Sequence, residues 1–365
     1  MLRSNWKKYT LKFKRPAGTS RGKLTTKDSW FIFIYDDSDP QIVGIGECSL
    51  LKDLSIDDRE DYEEKIEEVC ENINNYSFYL DTGLLEFPSI RFGLEMALMD
   101  LGLIGNRVYK GNKGNKGNKG NRGERILFPS DFTDGKDSIE INGLVWMGSF
   151  DFMRQQIIDK IESGFKCIKL KIGAIDFTEE LSLIKSIRNK FSAKDIEIRV
   201  DANGAFPVDE ALEKLKLLSE FNLHSIEQPI RHGQWEQMAE LCEKSPLHIA
   251  LDEELIGIVN IKEKKKLLKI IRPQYIIIKP SLVGGFKASE EWIDMAKKNN
   301  IGWWVTSALE SNIGLNAIAQ WTYTLGNKMP QGLGTGQLYS NNIDSGLYIE
   351  NGKLLYNPDK NRNQK

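Results

Sequence analysis

In Ile276-Ile277-Ile278-Lys279, a short apolar run ends in a charged residue, and the repetition of this pattern along the chain indicates the fold. The same pattern precedes it in the runs Ile198-Arg199-Val200-Asp201, Ser225-Ile226-Glu227 and Ala250-Leu251-Asp252. From Lys171 through these charged ends to Lys279, the steps are 30, 26, 25 and 27 residues. Each step has the length of one buried β-strand plus one α-helix, and this alternation predicts a parallel sheet.

Eight such units are predicted along the second part of the chain. Amphipathic helices lie between the strands, for example at 208–219 and 235–243. Eight alternating units indicate a closed (β/α)8 barrel of the TIM type. An open doubly wound sheet is the alternative, but it usually carries a glycine-rich dinucleotide turn after its first strand, and this sequence has none. The predicted barrel strands are 143–146, 167–172, 197–201, 224–227, 248–252, 275–279, 303–307 and 333–335.

The first part of the chain predicts a small α+β capping domain. Runs rich in β-formers at 30–35 and 41–47 predict strands, and apolar residues at helical spacing predict helices at 56–73 and from Pro88 onward. A Lys-Gly-Asn tract at 110–123 has no apolar residues to bury and is predicted to be a flexible basic loop. The predicted divisions are a capping domain at 1–130, a barrel at 131–340 and a C-terminal segment at 341–365 that returns to the cap.

The composition narrows the classes of partner. The 365 residues carry a net charge of −2, which gives no reason to expect nucleic acid but allows a small anionic substrate. The sequence has no 18-residue apolar run for a membrane span and no signal-peptide pattern at its start. Its four cysteines form no CxxC motif, which favours reduced thiols and a cytoplasmic location. No feature of the sequence predicts an oligomeric state.

The charged strand ends predict a metal site. In parallel barrels the carboxyl ends of the strands meet at one mouth, so Asp201, Glu227 and Asp252 are expected to lie together there. One such acid alone would more often be a surface residue at the start of a loop, but three in register are not explained that way. Carboxylates from neighbouring strands suit a hard divalent cation. We therefore predict Mg²⁺, with Mn²⁺ as a possible substitute.

Two lysines precede the three acids and predict a base. Lys169 and Lys171 are two residues apart on one strand, so both are expected to face the barrel interior, as is Arg199. Mutual repulsion and a nearby metal would lower the pKa of both lysines from about 10.4. A neutral lysine amine could then remove a proton next to a substrate carboxylate, while the metal stabilises the enediolate that forms.

These residues resemble the motifs of the enolase superfamily, in its muconate-lactonizing-enzyme-like subgroup, over nearly the whole chain. Within that subgroup the sequence resembles the o-succinylbenzoate synthases, in the segments 89–95, 199–201 and 332–337. The Lys-Gly-Asn tract is not part of the family pattern. The segments that match the subgroup motifs are Lys169-Leu170-Lys171, Asp201-Ala202-Asn203, Glu227-Gln228-Pro229, Asp252-Glu253 and Lys279-Pro280.

The resemblance implies the activity and the roles of individual residues. It implies dehydration of 2-succinyl-6-hydroxy-2,4-cyclohexadiene-1-carboxylate to 2-succinylbenzoate in menaquinone biosynthesis. Lys171 would be the base, Lys279 a cation across the ring, and Lys169 a further catalytic lysine. The segment 18–22 looks like the mobile loop of the cap, although its residues alone would equally suit a plain turn. The residues expected to contact substrate are Arg21, Arg199, Asn203, Ser307 and Glu310, although Ser307 and Glu310 could equally bind the barrel.

Two other functions compete with this one. A dipeptide epimerase or N-acylamino-acid racemase could use Lys171 and Lys279 as two bases on the same scaffold. Such epimerases usually hold the dipeptide ammonium with an Asp-x-Asp near the eighth strand, where this chain has Gly334-Thr335-Gly336. A catalytically silent metal-binding protein is disfavoured, because both lysines and all three acids are present. His224 and His248 lie away from the catalytic strand ends and are interpreted as structural.

Overall fold

The computed structural model of the chain describes residues 1–19, 22–105 and 124–362. The predicted flexible tract at 110–123 and the predicted substrate residue Arg21 lie outside the described residues. None of the helices in the described ranges combines the length and apolar character needed to cross a bilayer.

The first hundred residues form a three-stranded antiparallel sheet covered by helices. The sheet order is β1-β2-β3, and the predicted runs at 30–35 and 41–47 fall within β2 and β3. The long first strand has no counterpart among the sequence predictions. The helix observed within the predicted range 56–73 covers Tyr62–Glu71, because the residues before it form turns. The elements are β1 (Leu2–Thr19), β2 (Gly22–Asp36), β3 (Asp39–Cys48), α1 (Tyr62–Glu71), α2 (Tyr76–Phe78) and α3 (Pro88–Asp100).

Glycines let α3 lie directly on β3. A Cβ atom added at Gly46 would stand 1.8 Å from the carbonyl oxygen of Gly93, and one at Gly44 would stand 2.2 Å from the carbonyl oxygen of Ala97. A Cβ at Gly93 would in turn stand 2.5 Å from Sγ of Cys48. No side chain larger than hydrogen fits at these positions, so the glycines set the spacing between helix and sheet.

Parallel strands with helices between them form the barrel. The strands neighbour one another in the order β5 to β11. The register pairs Lys171 with Asp201 and Asp201 with Glu227, which puts these side chains at one level. The strands are β5 (Gly143–Val145), β6 (Cys167–Lys171), β7 (Glu197–Asp201), β8 (Ser225–Glu227), β9 (Ile249–Leu251), β10 (Tyr275–Ile278) and β11 (Gly302–Val305). The helices are α4 (Phe150–Glu162), α5 (Phe177–Arg188), α6 (Val208–Ser219), α7 (Trp235–Lys244), α8 (Ile261–Ile271), α9 (Pro280–Val283), α10 (Gly285–Lys298) and α11 (Asn312–Thr324).

The predicted eighth strand at 333–335 is wrong. Closure comes from two residues that precede it, through isolated parallel bridges between Gln331 and Ile141 and between Gly332 and Thr306. The amide of Gly332 donates to the carbonyl of Val305 at 2.8 Å. The next residues, Gly334–Gln337, turn into a 3₁₀ helix. The glycine-rich sequence has little strand propensity and leaves the sheet after two paired residues.

A small antiparallel sheet and a last helix complete the described chain. The sheet order is β12-β13-β4, so the C-terminal hairpin pairs with residues just before the first barrel strand. Residues between α11 and this hairpin contact the cap, where the hydroxyl of Tyr9 donates to the carbonyl of Asn341 at 2.7 Å. The division at 130 and 340 stays a prediction. The remaining elements are β4 (Ile139–Glu140), β12 (Leu347–Glu350), β13 (Lys353–Tyr356) and α12 (Pro358–Arg362).

Two cap carboxylates, the buried Glu47 and the partly buried Glu95, join the cap to the barrel at helix N-termini. Glu95 of α3 accepts hydrogen bonds from the amides of Phe286, at 2.7 Å, and Lys287, at 3.3 Å, where α10 begins. Glu47 of β3 accepts from the amides of Ser311 and Gly314, both at 2.9 Å, where α11 begins. The first amides of a helix lack partners within the helix and carry partial positive charge, so each carboxylate is stabilised there.

We expect Gly46→Ala to lower the free energy of unfolding by roughly 3 kcal/mol, because overpacking of a close contact forces backbone to move. Thermal and urea unfolding would measure the loss. Gly105→Ala is the matched control, since a Cβ there has no heavy atom within 4 Å. Equal stability of the two variants would show that α3 does not depend on close approach to β3.

Candidate active site

Six charged side chains meet at the carboxyl ends of the barrel strands. Lys169 and Lys171 project from β6 to the same side, and Asp201 and Glu227 end β7 and β8. Asp252 directly follows β9, and Lys279 directly follows β10. All six are buried. The six catalytic and metal residues predicted from the sequence are therefore brought together at one mouth.

The lysines and carboxylates form a connected ionic cluster. Nζ of Lys169 lies 2.9 Å from Oδ2 of Asp201 and also contacts Oε2 of Glu227. Nζ of Lys171 donates to Oδ2 of Asp201 at 2.5 Å. On the far side of the barrel, Lys279 contacts Oδ2 of Asp252 and lies 3.9 Å from Oε1 of Glu227. Three lysines face three carboxyl groups, so each charge that forms in the cluster has a group of opposite sign at short range, which makes its burial possible.

The two β6 lysines differ in protonation behaviour. Burial lowers the pKa of Lys171 below the usual lysine value, even with Asp201 beside it. Burial acts on Lys169 too, but the carboxylates of Asp201, Glu227 and Asp252 outweigh it and raise the pKa of Lys169. The prediction that both lysines have a lowered pKa is thus wrong for Lys169, because that ammonium bridges two carboxylates.

The acids of the cluster fit a divalent cation by their chemistry. Asp201, Glu227 and Asp252 supply only oxygen donors, which Mg²⁺ and Mn²⁺ prefer. Oε1 of Glu227 is buried and accepts no hydrogen bond, so it has capacity for a cation. The lysines stand between the carboxylates, and no three His, Cys, Asp or Glu side chains in the described part of the chain are arranged as ligands of one ion. A bound cation would therefore share these carboxylates with the ammonium groups.

Residues next to the three acids brace the loops that carry them. Gln228 accepts from the amide of Asp252 at 3.2 Å through Oε1, and donates to Oε2 of Glu254 at 3.1 Å through Nε2. Asn203 donates to Oε1 of Glu253 at 2.9 Å. These contacts tie the three acid-bearing loops to one another. Sequence reasoning assigned no role to Gln228, Glu253 and Glu254, although the first two stood inside the matched motifs.

A cavity of about 500 Å³ opens above the cluster. Barrel residues form its floor, and the cap supplies its other walls, which include Leu24, Leu51 and Leu54. Of the predicted substrate residues, Asn203 and Ser307 line this cavity. The basic cap residues that line it are Lys14, Arg15, Lys23 and Lys52.

Two predicted substrate residues, Glu310 and Arg199, are engaged elsewhere. Glu310 is buried and accepts hydrogen bonds from the hydroxyls of Ser281 and Ser307, the latter at 2.7 Å. It therefore binds other barrel residues and does not line the cavity. Arg199 does face the barrel interior, but toward the other ends of the strands. Its guanidinium lies 4.2 Å from the ring centroid of Trp304, and its Nε donates to Glu197 at 2.7 Å.

The two histidines interpreted as structural lie near Arg199. His224 and His248 flank Tyr275, with ring centroids at 4.8 Å and 5.9 Å from it. Burial lowers the pKa of His224 to about 4, so this ring is neutral at pH 7. Both rings belong to an aromatic cluster below the active site.

The comparisons with known proteins agree with this geometry. A family model described as "Enolase C-terminal domain-like" matches residues 153–359. The o-succinylbenzoate synthase of Desulfotalea psychrophila is 46% identical, over 96% of this chain and 98% of that protein. The crystal structure of MenC from Desulfotalea psychrophila LSv54 superimposes with a TM-score of 0.81 at 43% identity, over 97% of this chain and 99% of that one.

A more distant structure shares the fold alone. The dipeptide epimerase from Enterococcus faecalis V583, solved with Mg and the dipeptide L-Leu-L-Tyr, has a TM-score of 0.79 at 18% identity, over 97% of this chain and 96% of that one. The family match and the full-length relative at 46% identity decide the assignment. The chain belongs to the enolase superfamily and, within it, to the o-succinylbenzoate synthase family.

Proposed function

We propose that this protein is a magnesium-dependent o-succinylbenzoate synthase. It converts 2-succinyl-6-hydroxy-2,4-cyclohexadiene-1-carboxylate to 2-succinylbenzoate and water, as a step of menaquinone biosynthesis. The carrying observation is that one cavity joins Lys171 and Lys279 above a buried set of three carboxylates. The full-length similarity to the Desulfotalea psychrophila synthase supports the choice of reaction within the superfamily.

The proposed metal ligands are Asp201, Glu227 and Asp252. When bound, Mg²⁺ would offset the charge of the substrate carboxylate and of the enediolate formed from it. The dipeptide epimerase solved with Mg supports this choice of ion. Lys169 contacts two of these acids and has a raised pKa, so we propose that it stays a cation that holds them in place.

Lys171 is the proposed base. Its pKa is lowered, so its amine is more readily neutral than that of an exposed lysine. The neutral amine removes the proton from the ring carbon that bears the carboxylate. The ammonium so formed then returns this proton to the hydroxyl on the adjacent carbon, which leaves as water from the same face. The carbon–oxygen bond breaks, the ring becomes aromatic, and Lys171 is restored.

Lys279 is the proposed electrostatic partner of the base. Lys279 follows the sixth barrel strand, whereas Lys171 ends the second. The two lysines therefore lie on opposite sides of the barrel mouth. Burial lowers the pKa of Lys279, but Asp252 and Glu227 outweigh it and raise that pKa. An ammonium held there stabilises the negative charge of the enediolate and the face of the forming arene.

The cap supports a substrate with a second carboxylate. Lys14, Arg15, Lys23 and Lys52 line the cavity and form no salt bridge within the described ranges of the chain. Their charge is therefore available to the succinyl carboxylate. We propose that Asn203 and Ser307 contact the ring or its substituents, and Arg21 stays a predicted contact of the cap loop. Four free, buried thiols support the proposed cytoplasmic location.

A racemase or epimerase is the second candidate. Lysines on opposite sides of the cavity could remove and return a proton on the two faces of one carbon, which favours this alternative. A dipeptide substrate would also bring an ammonium group. The segment Gly334-Thr335-Gly336 offers no carboxylate to bind it, and Thr335 donates to Ser307 at 2.7 Å. The synthase therefore remains the better-supported function.

The proposed function predicts that the purified protein with Mg²⁺ aromatises the cyclohexadiene substrate, seen as a rise in ultraviolet absorbance. Chelation of the metal should abolish the reaction, and added Mg²⁺ or Mn²⁺ should restore it. Racemisation of N-acylamino acids and dipeptides is assayed in parallel. An absence of aromatisation by metal-loaded protein would reject the synthase, and efficient dipeptide epimerisation would establish its rival.

Lys171→Ala is expected to reduce kcat by about a thousandfold or more while the protein stays folded, because a positioned general base contributes on the order of 10²–10⁴. Steady-state kinetics and circular dichroism measure the two properties. Lys298→Ala, which removes an exposed lysine at the end of α10, is the control. Kinetics of Lys171→Ala within tenfold of the unsubstituted protein would remove Lys171 from the base role.

Asp201→Asn is expected to weaken Mg²⁺ binding by about 100-fold or more, since loss of even an outer partner of a metal ligand costs roughly 10–100-fold. Isothermal titration calorimetry without substrate gives the Kd directly. Asp294→Asn, an exposed position on α10, serves as the control for loss of charge alone. Unchanged affinity would contradict the assignment of Asp201 as a ligand.

A further inference from the structure

Asn203 connects the proposed base to Glu253, a buried acid that is not among the described residues lining the cavity. Its Oδ1 accepts a hydrogen bond from Nζ of Lys171 at 2.7 Å. Its Nδ2 donates to Oε1 of Glu253 at 2.9 Å. Glu253 is buried and directly follows the proposed ligand Asp252. A chain of two hydrogen bonds therefore runs from Glu253 through Asn203 to Lys171.

The orientation of the Asn203 amide is set by Glu253. An amide has one accepting end and one donating end, whereas a carboxylate only accepts and an ammonium only donates. If the amide turned over, its NH₂ would face the lysine and its oxygen would face the carboxylate, and both hydrogen bonds would be lost. Without Glu253, one of the two reasons for the observed orientation disappears.

The backbone of Asn203 is held in place, but its side-chain amide is free to turn. Its φ of 45° lies in the left-handed region, which asparagine tolerates better than most residues. The backbone N–H of Asn203 donates to Oδ1 of Asp201 at 3.0 Å. The next residue, Gly204, donates to the carbonyl of Gln228 at 2.7 Å. These contacts fix the turn, so the rotation of the side chain depends on what Nδ2 and Oδ1 contact.

This orientation aims the lone pair of Lys171. A neutral lysine amine has two N–H bonds and one lone pair in a tetrahedral arrangement. Oδ2 of Asp201, at 2.5 Å, and Oδ1 of Asn203 can accept the two N–H bonds. The lone pair then points away from both oxygens, and Lys171 lines the cavity in which the substrate would lie. A turned amide would instead donate to the nitrogen and occupy the lone pair.

We infer that Glu253 is a positioning residue, which acts through Asn203 to orient the amine of Lys171 toward the substrate. This inference rests on the proposed function for its assay substrate and on Lys171 as the base. It assigns a role to the second acid of Asp252-Glu253 that is separate from metal binding. Glu254, the next acid, contacts Gln228 and the amide of Gly233, at 2.8 Å, and lies outside this chain of contacts.

The first test compares Glu253→Ala with Glu253→Gln. With the cyclohexadiene substrate and saturating Mg²⁺, Glu253→Ala should lower kcat by about 10- to 100-fold, the scale of a misplaced reacting group, with KM changed less than about twofold. Glu253→Gln keeps an oxygen that can accept from Asn203, and should recover most of kcat. The Kd for Mg²⁺, measured by calorimetry without substrate, should stay within about threefold of the unsubstituted value in both.

The second test is a double-mutant cycle with Asn203→Ala. If Glu253 acts through Asn203, then Glu253→Ala should have no further effect on kcat once Asn203 is absent. Glu254→Ala is the matched control, and its effect on kcat should be the same with or without Asn203. Additive effects of Glu253→Ala and Asn203→Ala would overturn the inference, as would loss of Mg²⁺ binding or no change in kcat.

Two results separate this inference from the proposed function. If the unsubstituted protein does not turn over the cyclohexadiene, the proposed function fails, and the same cycle is run on the reaction it does catalyse. If it is active and the Glu253 variants behave additively, only the positioning role fails. Should Glu253→Ala not fold, Glu253→Met, of similar length but without the oxygen acceptor, takes its place with the same expected outcomes.

Discussion

Three lysines and three carboxyl groups are buried together at the mouth of the barrel, and their mutual attraction governs how the surrounding strands and loops are arranged. An isolated charge in a protein interior costs several kcal/mol, so each member of the cluster needs a partner at short range. The parallel register supplies it, since Lys171, Asp201 and Glu227 end neighbouring strands at one level. A cation bound among the acids would add positive charge to a cluster that is already balanced, and would favour the neutral form of a lysine. The proposed metal binding and the readiness of the proposed base would thereby be linked.

The same rule governs the joint between cap and barrel. Glu47, which is buried, and Glu95, which is partly buried, are cap carboxylates at the N-termini of α11 and α10, where fixed backbone amides replace the water they lose. Burial nonetheless raises the pKa of Glu95 to about 7. The close approach of α3 to β3 places Glu95 within hydrogen-bond distance of the first amides of α10. The cap is held over the barrel by these directional contacts, and it can then contribute Lys14, Arg15 and the other basic residues to the cavity.

The sequence predictions were correct where a local pattern marks a strand, and they failed where contacts between distant residues form it. Seven barrel strands were predictable because each is a short apolar run with a helix after it. The eighth was misplaced by two residues, because its pairing involves only Gln331 and Gly332 and no apolar run marks it. The first strand, Leu2–Thr19, was not predicted, since much of it is exposed and its polar residues hide the alternation. Burial and register cannot be read from such segments, because neighbours distant in sequence create them.

The barrel, the family and the six charged residues at the barrel mouth were predictable from the residue order, because strand spacing and side-chain alternation are local properties of the chain. The pairing of those charges became visible in three dimensions. It separated Lys169, which bridges two acids, from Lys171, which contacts Asp201 and Asn203. The tertiary structure also shows that Arg199 and Glu310 make contacts within the barrel and that Glu253 accepts a hydrogen bond from Asn203. Electrostatic energy depends on distance and burial in space, and residue order along the chain specifies neither.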